Sequence, residues 1–116
     1  MTSRIAVLVI DARDPARVAD FWCQVLGWVV HERDPDGVVT IAPAGSRPGT
    51  GDPAIDVVPV PDHKTVKNRL HLDLRAEDFT AELDRLVALG ALVFADLPEW
   101  TVLQDLEGNE FCLLKN

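Results

Sequence analysis

Tyrosine is absent from this chain of 116 residues, and it holds only two cysteines. Cys23 and Cys112 lie far apart and outside any CxxC pattern, which argues against a disulfide framework and leaves two free thiols as the expectation. Cations are scarce. Eleven Lys and Arg stand against 19 Asp and Glu, a formal net charge of −8. That balance excludes nucleic acid and an anionic membrane surface as main partners, because both are bound through clustered positive charge. No stretch approaches the roughly 18 continuous apolar residues of a membrane span. The apolar run Ile5–Ile10 is too short for a signal peptide and passes straight into Asp11-Ala12-Arg13-Asp14, so a cytoplasmic location is expected. A glycine-rich phosphate loop, a GxSxG elbow and a locally spaced nucleophile–base pair are all missing, which removes the chemistries those motifs carry.

What is present suits one soluble domain spanning residues 1–116, 47% hydrophobic and 26% charged. Ile5–Ile10 reads as a strand buried on both faces. Asp14-Pro15 opens a helix, with aspartate as N-cap and proline at the first helical position. Val18, Phe21, Trp22, Val25 and Leu26 form its apolar stripe, and Gly27 ends it. Strands at 28–32 and 38–42 flank the turn Asp34-Pro35-Asp36-Gly37. A Gly- and Pro-rich loop over 43–53 leads to a strand at 54–58. The second half repeats this order, with a strand over 69–75, a helix capped by Asp78 and stopped by Gly90, and strands at 91–95, 100–104 and 111–114. Phe79, Leu83, Leu86 and Val87 form the stripe of that helix. Val25-Leu26-Gly27-Trp28 corresponds to Ala88-Leu89-Gly90-Ala91, so each half is strand, helix, then three strands, and the chain is an internal duplication. The fold class is α+β, with modules at about 4–60 and 68–116.

The segment Lys67–Arg75 carries the richest chemistry. Read as a strand, it places Leu70, Leu72 and Leu74 on one face and Arg69, His71, Asp73 and Arg75 on the other. An imidazole and a carboxylate two residues apart suit general acid/base work; the plainer reading is a solvated polar row. Arg69 could pair an anionic ligand group, whereas Lys64 and Lys67 read as a solvated linker. Trp22 belongs to a helix stripe and so to the core. Trp100 faces the opposite way if Leu103 packs under the helix, where it could stack on a flat ligand.

The duplication, the run Asp14-Pro15 through Phe21-Trp22 into Val25-Leu26-Gly27-Trp28, and the ending Asp105-Leu106-Glu107-Gly108-Asn109-Glu110-Phe111 resemble the vicinal oxygen chelate superfamily, which holds glyoxalases, bleomycin-resistance proteins and extradiol dioxygenases. Lys64-Thr65-Val66-Lys67-Asn68-Arg69-Leu70-His71-Leu72-Asp73-Leu74 resembles its glyoxalase-like domain subgroup. The resemblance implies two βαβββ modules forming a curved mixed sheet around a cavity, a small-molecule ligand and a homodimer. It also implies a divalent-metal site drawn from four positions, which fall here on Val7, Asp56, His71 and Cys112. Valine cannot bind metal and a thiol replaces the usual carboxylate, so a metal held by His71, Asp56 and Cys112 stands beside the reading of Cys112 as a buried apolar residue.

Three function classes follow. The first is an enzyme of lyase, isomerase or dioxygenase type, acting on an oxygenated and in one variant anionic molecule, with His71 and Asp73 catalytic and Arg69, Trp100, Val7 and Asp56 binding. Glyoxalase I activity itself is not expected, because the ligand set is incomplete. The second is a non-catalytic protein that sequesters a small molecule. The third is a partner domain with a vestigial cavity.

Overall fold

The computed structural model describes residues 2–116. They divide into two compact units, the first running to Asp62 and the second from His63. The fold is α+β, and each unit is one βαβββ module with a four-stranded mixed sheet.

In the first module β1 (Leu8–Ala12), helix α1 (Pro15–Leu26), β2 (Val29–Arg33), β3 (Val39–Ala42) and β4 (Ile55–Pro59) follow one another. The sheet order is β1-β4-β3-β2, with β1 parallel to β4 and the other pairs antiparallel. Helix α1 starts where the carboxylate of Asp14 accepts the Arg17 N–H at 3.3 Å. It stops at Gly27, whose φ of 69° closes the C-terminus in a left-handed turn. Its stripe buries Val18, Ala19, Phe21, Trp22 and Val25. These sit over β3 and β4, whose Val39, Ile41, Ile55 and Val57 are equally buried. Trp22 meets Phe21 edge-on, with ring centroids 5.5 Å apart. Strand β1 begins three residues later than the apolar run predicts, and Leu8 and Val9 are exposed rather than buried on both faces. The reason is position: β1 lies at the end of its sheet and has one strand neighbour, not two.

The second module runs β5 (Asp73–Leu74), α2 (Phe79–Ala88), β6 (Leu92–Asp96), β7 (Trp100–Gln104) and β8 (Glu110–Leu114). Its sheet order, β5-β8-β7-β6, reproduces that of the first. Asp78 caps α2 by accepting the Ala81 N–H at 3.1 Å. The likeness extends to irregularities. The β2–β3 ladder slips between Val30 and Glu32, and the β6–β7 ladder slips between Val93 and Ala95. Those are equivalent positions in the alignment of Val25 with Ala88, so a single β-bulge was copied with the rest of the unit.

Two expectations for this module are corrected. The strand over 69–75 shrinks to Asp73–Leu74. Side-chain anchoring replaces ladder pairing upstream, because the Asn68 N–H donates to the Glu110 carboxylate at 3.0 Å instead of to a strand carbonyl. Leu70 consequently turns outward and is 86% exposed, so the leucine row is not a continuous buried face. Helix α2 buries only Leu86 fully, and Val87, assigned to the stripe, is exposed.

Candidate functional site

Alternation along β7 and β8 sorts their side chains onto two faces. Leu103, Phe111 and Leu113 go to the face covered by α2, which packs on β8, and are fully buried. Trp100, Val102, Cys112 and Leu114 point to the other face. Cross-strand pairing sets them in rows, Trp100 opposite Leu114 and Val102 opposite Cys112. Parallel pairing then puts Asp73 of β5 beside Cys112. The Cys112 N–H donates to the Leu72 carbonyl at 2.9 Å, which carries the chain on toward His71. Above this face lies a cavity of about 360 Å³, lined by Lys67, His71, Asp73, Leu97, Trp100, Val102, Glu110, Cys112 and Leu114.

Three of these side chains converge. His71 Nε2 lies 3.3 Å from Asp73 Oδ1. One ligand atom each from His71, Asp73 and Cys112 falls within 4.8 Å of the others. The imidazole and the carboxylate are partly open to solvent, whereas Cys112 is buried. Burial pushes the Cys112 thiol pKa up, and the charge of Asp73 and a hydrogen bond to it add to that rise. The thiol is therefore protonated and donates to Asp73, the state of a weak nucleophile rather than an activated one.

Glu110 is the buried charge of the site. Its side chain is 5% exposed and receives both the Lys64 ammonium at 2.9 Å and the Asn68 N–H at 3.0 Å. Burial alone would raise its pKa, but these donors outweigh it and hold the group at about 2. The motif residues Lys64 and Asn68 thus have a structural meaning: they clasp the irregular segment that bears Lys67 and His71 to strand β8.

The remaining expected residues fall elsewhere. Arg69 is exposed and is not part of the cavity wall; Lys67, read from sequence as linker, is. Asp56 lies on β4 in the first module, where its Oδ1 accepts the Thr40 hydroxyl at 2.6 Å. Val7 lines a separate hollow of about 320 Å³ in that module, beside Trp28. The metal-capable trio that the second module assembles therefore contains Asp73 where the resemblance pointed to Asp56. Sequence reasoning missed Glu110 and Lys67. Glu110 was legible in principle, because it shares the alternation of Cys112 and Leu114.

The donor set of the trio can be tested against a metal. Imidazole, carboxylate and thiolate are all zinc ligands, and bond lengths near 2.0–2.3 Å in a tetrahedron separate ligand atoms by roughly 3–4 Å. The observed spacing needs only side-chain adjustment, so the residues fit zinc better than the oxygen-preferring Mg or Mn. His71, Asp73 and Cys112 would hold it, and such an ion would supply Lewis-acid polarisation of a ligand oxygen.

Comparison with known proteins places this geometry in context. The model of the glyoxalase-like domain family matches residues 7–114. Among solved structures, the chain is similar to a mutant of the fosfomycin resistance protein FosX from Listeria monocytogenes complexed with Mn(II) and 1S,2S-dihydroxypropylphosphonic acid. The TM-score is 0.76 at 15% identity, covering 98% of this chain and 90% of that one. It is similar to TnmS3, an antibiotic-binding protein from a Streptomyces species, with a TM-score of 0.67 at 22% identity over 97% and 95% of the two chains. The trypanothione-dependent glyoxalase I of Leishmania major gives 0.70 at 13% identity over 98% and 87%. No protein of curated function matches in sequence. With its duplicated βαβββ units and a family match over nearly all its length, the chain belongs to the glyoxalase-like domain family of the vicinal oxygen chelate superfamily.

Proposed function

We propose that the cavity of the second module binds a small oxygenated molecule and that His71, oriented by Asp73, moves a proton on it. The observation that carries this reading is the convergence of His71, Asp73 and Cys112 on a hollow of about 360 Å³ that Leu97, Trp100, Val102 and Leu114 also line. Clefts of this size with a few convergent polar groups are the usual form of small-molecule sites. Asp73 Oδ1 lies 3.3 Å from the imidazole Nε2, where it would orient the ring for general acid/base work. FosX, complexed with a dihydroxypropylphosphonic acid, supports a small oxygenated ligand on this fold. We read the protein as a cytoplasmic homodimer, a reading supported by its two free thiols and by the apolar side chains exposed along β6.

The second reading is sequestration without turnover. It is favoured by the protonated Cys112 thiol at the position where metal-dependent relatives were expected to place a carboxylate, and by the antibiotic-binding neighbour. A thermal-shift screen of small oxygenated compounds tests the cavity, because a ligand that binds the native state raises the melting temperature. Hits that are consumed by wild type but not by His71→Ala establish the enzyme. Hits bound unchanged by both establish sequestration, and an absence of hits removes the site.

A further inference from the structure

One cation on the cavity wall, Lys67, has no carboxylate within ion-pair distance among the described residues. Glu110 is satisfied by Lys64 and by the Asn68 N–H. Asp73 Oδ1 lies 3.3 Å from His71 Nε2. The Lys67 ammonium reaches only the Asn68 carbonyl at 3.5 Å. An ammonium on the wall with no ion pair of its own is free to pair with an anionic group of a ligand. The rest of the wall sets the other half of the ligand. Trp100 is 37% exposed, its ring has no aromatic or cation partner among the described residues, and Leu97, Val102 and Leu114 surround it. An unstacked indole bordered by aliphatic side chains offers a flat apolar platform.

We infer that the ligand is a flat, largely apolar acid: a ring stacked on Trp100 with one anionic oxygen group paired to Lys67. The inference rests on the cavity being the binding site, and it assigns the anionic contact to Lys67 in place of Arg69. A charge so placed gives orientation as well as affinity, because the acid end is drawn to the side of the cavity where His71 lies.

The pair 2-naphthoate and 2-naphthamide tests it, being alike in shape and differing in charge. Calorimetric titration of the full chain should show the carboxylate binding roughly tenfold more tightly than the amide, with the gap falling as salt is raised. Lys67→Met should close the gap by weakening naphthoate alone, whereas Arg69→Met should leave it open. Trp100→Leu should weaken both compounds together. The melting temperatures of the three variants should stay close to wild type, since each replaces an exposed residue. Equal affinities for the two compounds, both lowered by Trp100→Leu, would overturn the anionic assignment while leaving the cavity intact as a binding site. A charge preference that survives Lys67→Met would overturn the assignment to that residue. Absence of binding by either compound, with no shift in the Trp100 indole resonance, would overturn the flat-acid inference, and the broader screen then decides the cavity separately.

Discussion

The two modules share strand order, helix caps and even the position of a bulge, yet they spend their residues differently. Helix α1 buries five side chains and α2 one. The contrast continues strand by strand. In the first module Asp56 lies between Val9 and Thr40; at the equivalent place in the second, Cys112 lies between Asp73 and Val102. Two residues upstream of those positions stand Val7 in one copy and His71 in the other. Position by position, Val7, Val9 and Asp56 of one copy stand where the other has His71, Asp73 and Cys112. The one carboxylate of that first trio is taken up by the Thr40 hydroxyl. A duplicated unit lets one half keep the packing while the other accepts the burial of polar groups, which costs stability unless every one is paired.

That division of labour can be broken by mutation. The largest effect is expected in the first module's core: Trp22→Ala should cost about 3–5 kcal/mol in urea unfolding. Val87→Ala on α2 should stay within roughly 0.5 kcal/mol. Similar costs at the two sites would erase the distinction between a packing copy and a chemical copy.

Next comes the clasp of the second module. Lys64→Met leaves Glu110 buried without its counter-charge and should cost roughly 3 kcal/mol, as breaking a buried pair does. A loss below half a kilocalorie would show that the Asn68 N–H alone suffices.

The same carboxylate sharpens the comparison through pH. Its native pKa, about 2, lies below the ordinary 4.5, so its stabilisation is complete above 4.5 and is lost as pH falls toward 2. The shift corresponds to on the order of 3 kcal/mol. Denaturant midpoints should fall over that window in wild type and fall less in Glu110→Gln. Parallel acid limbs would remove Glu110 as the cause.

A smaller effect is expected at a feature the modules share. Asp14→Ala and Asp78→Ala each delete a cap that accepts an N–H three residues on, and each should cost about 1 kcal/mol. Clearly unequal losses would mean that the helix starts are not equivalent after all.

Local chemistry explains what was legible before the structure. Asp14, Pro15 and Gly27 bracket α1 because caps act within one turn of chain, and Asp34 folds its own turn by accepting the Asp36 and Val38 N–H groups, each at 2.9 Å. The pairing of His71 with Asp73 follows from a period of two. The failure between Arg69 and Leu72 has the opposite origin. A perfect leucine alternation was outweighed by Glu110, some forty residues away in sequence, whose carboxylate captured a main-chain donor. Lys67 was hidden for the same reason, since only that clasp brings its ammonium onto the cavity wall. The neighbourhood of Cys112 and Asp73 depends on parallel register, which no spacing along the chain encodes.

The repeated bulge has a consequence for the molecule in a crowded solution. Strands β2 and β6 are rims, and β6 leaves Leu92, Val93 and Phe94 largely uncovered. A straight rim of that composition would be a template on which further chains could add, strand upon strand. The out-of-step residue in each ladder twists that rim and interrupts its regular succession of free donors and acceptors, so neither β2 nor β6 offers an even edge for strand addition. Copying the unit copied its safeguard against aggregation as well.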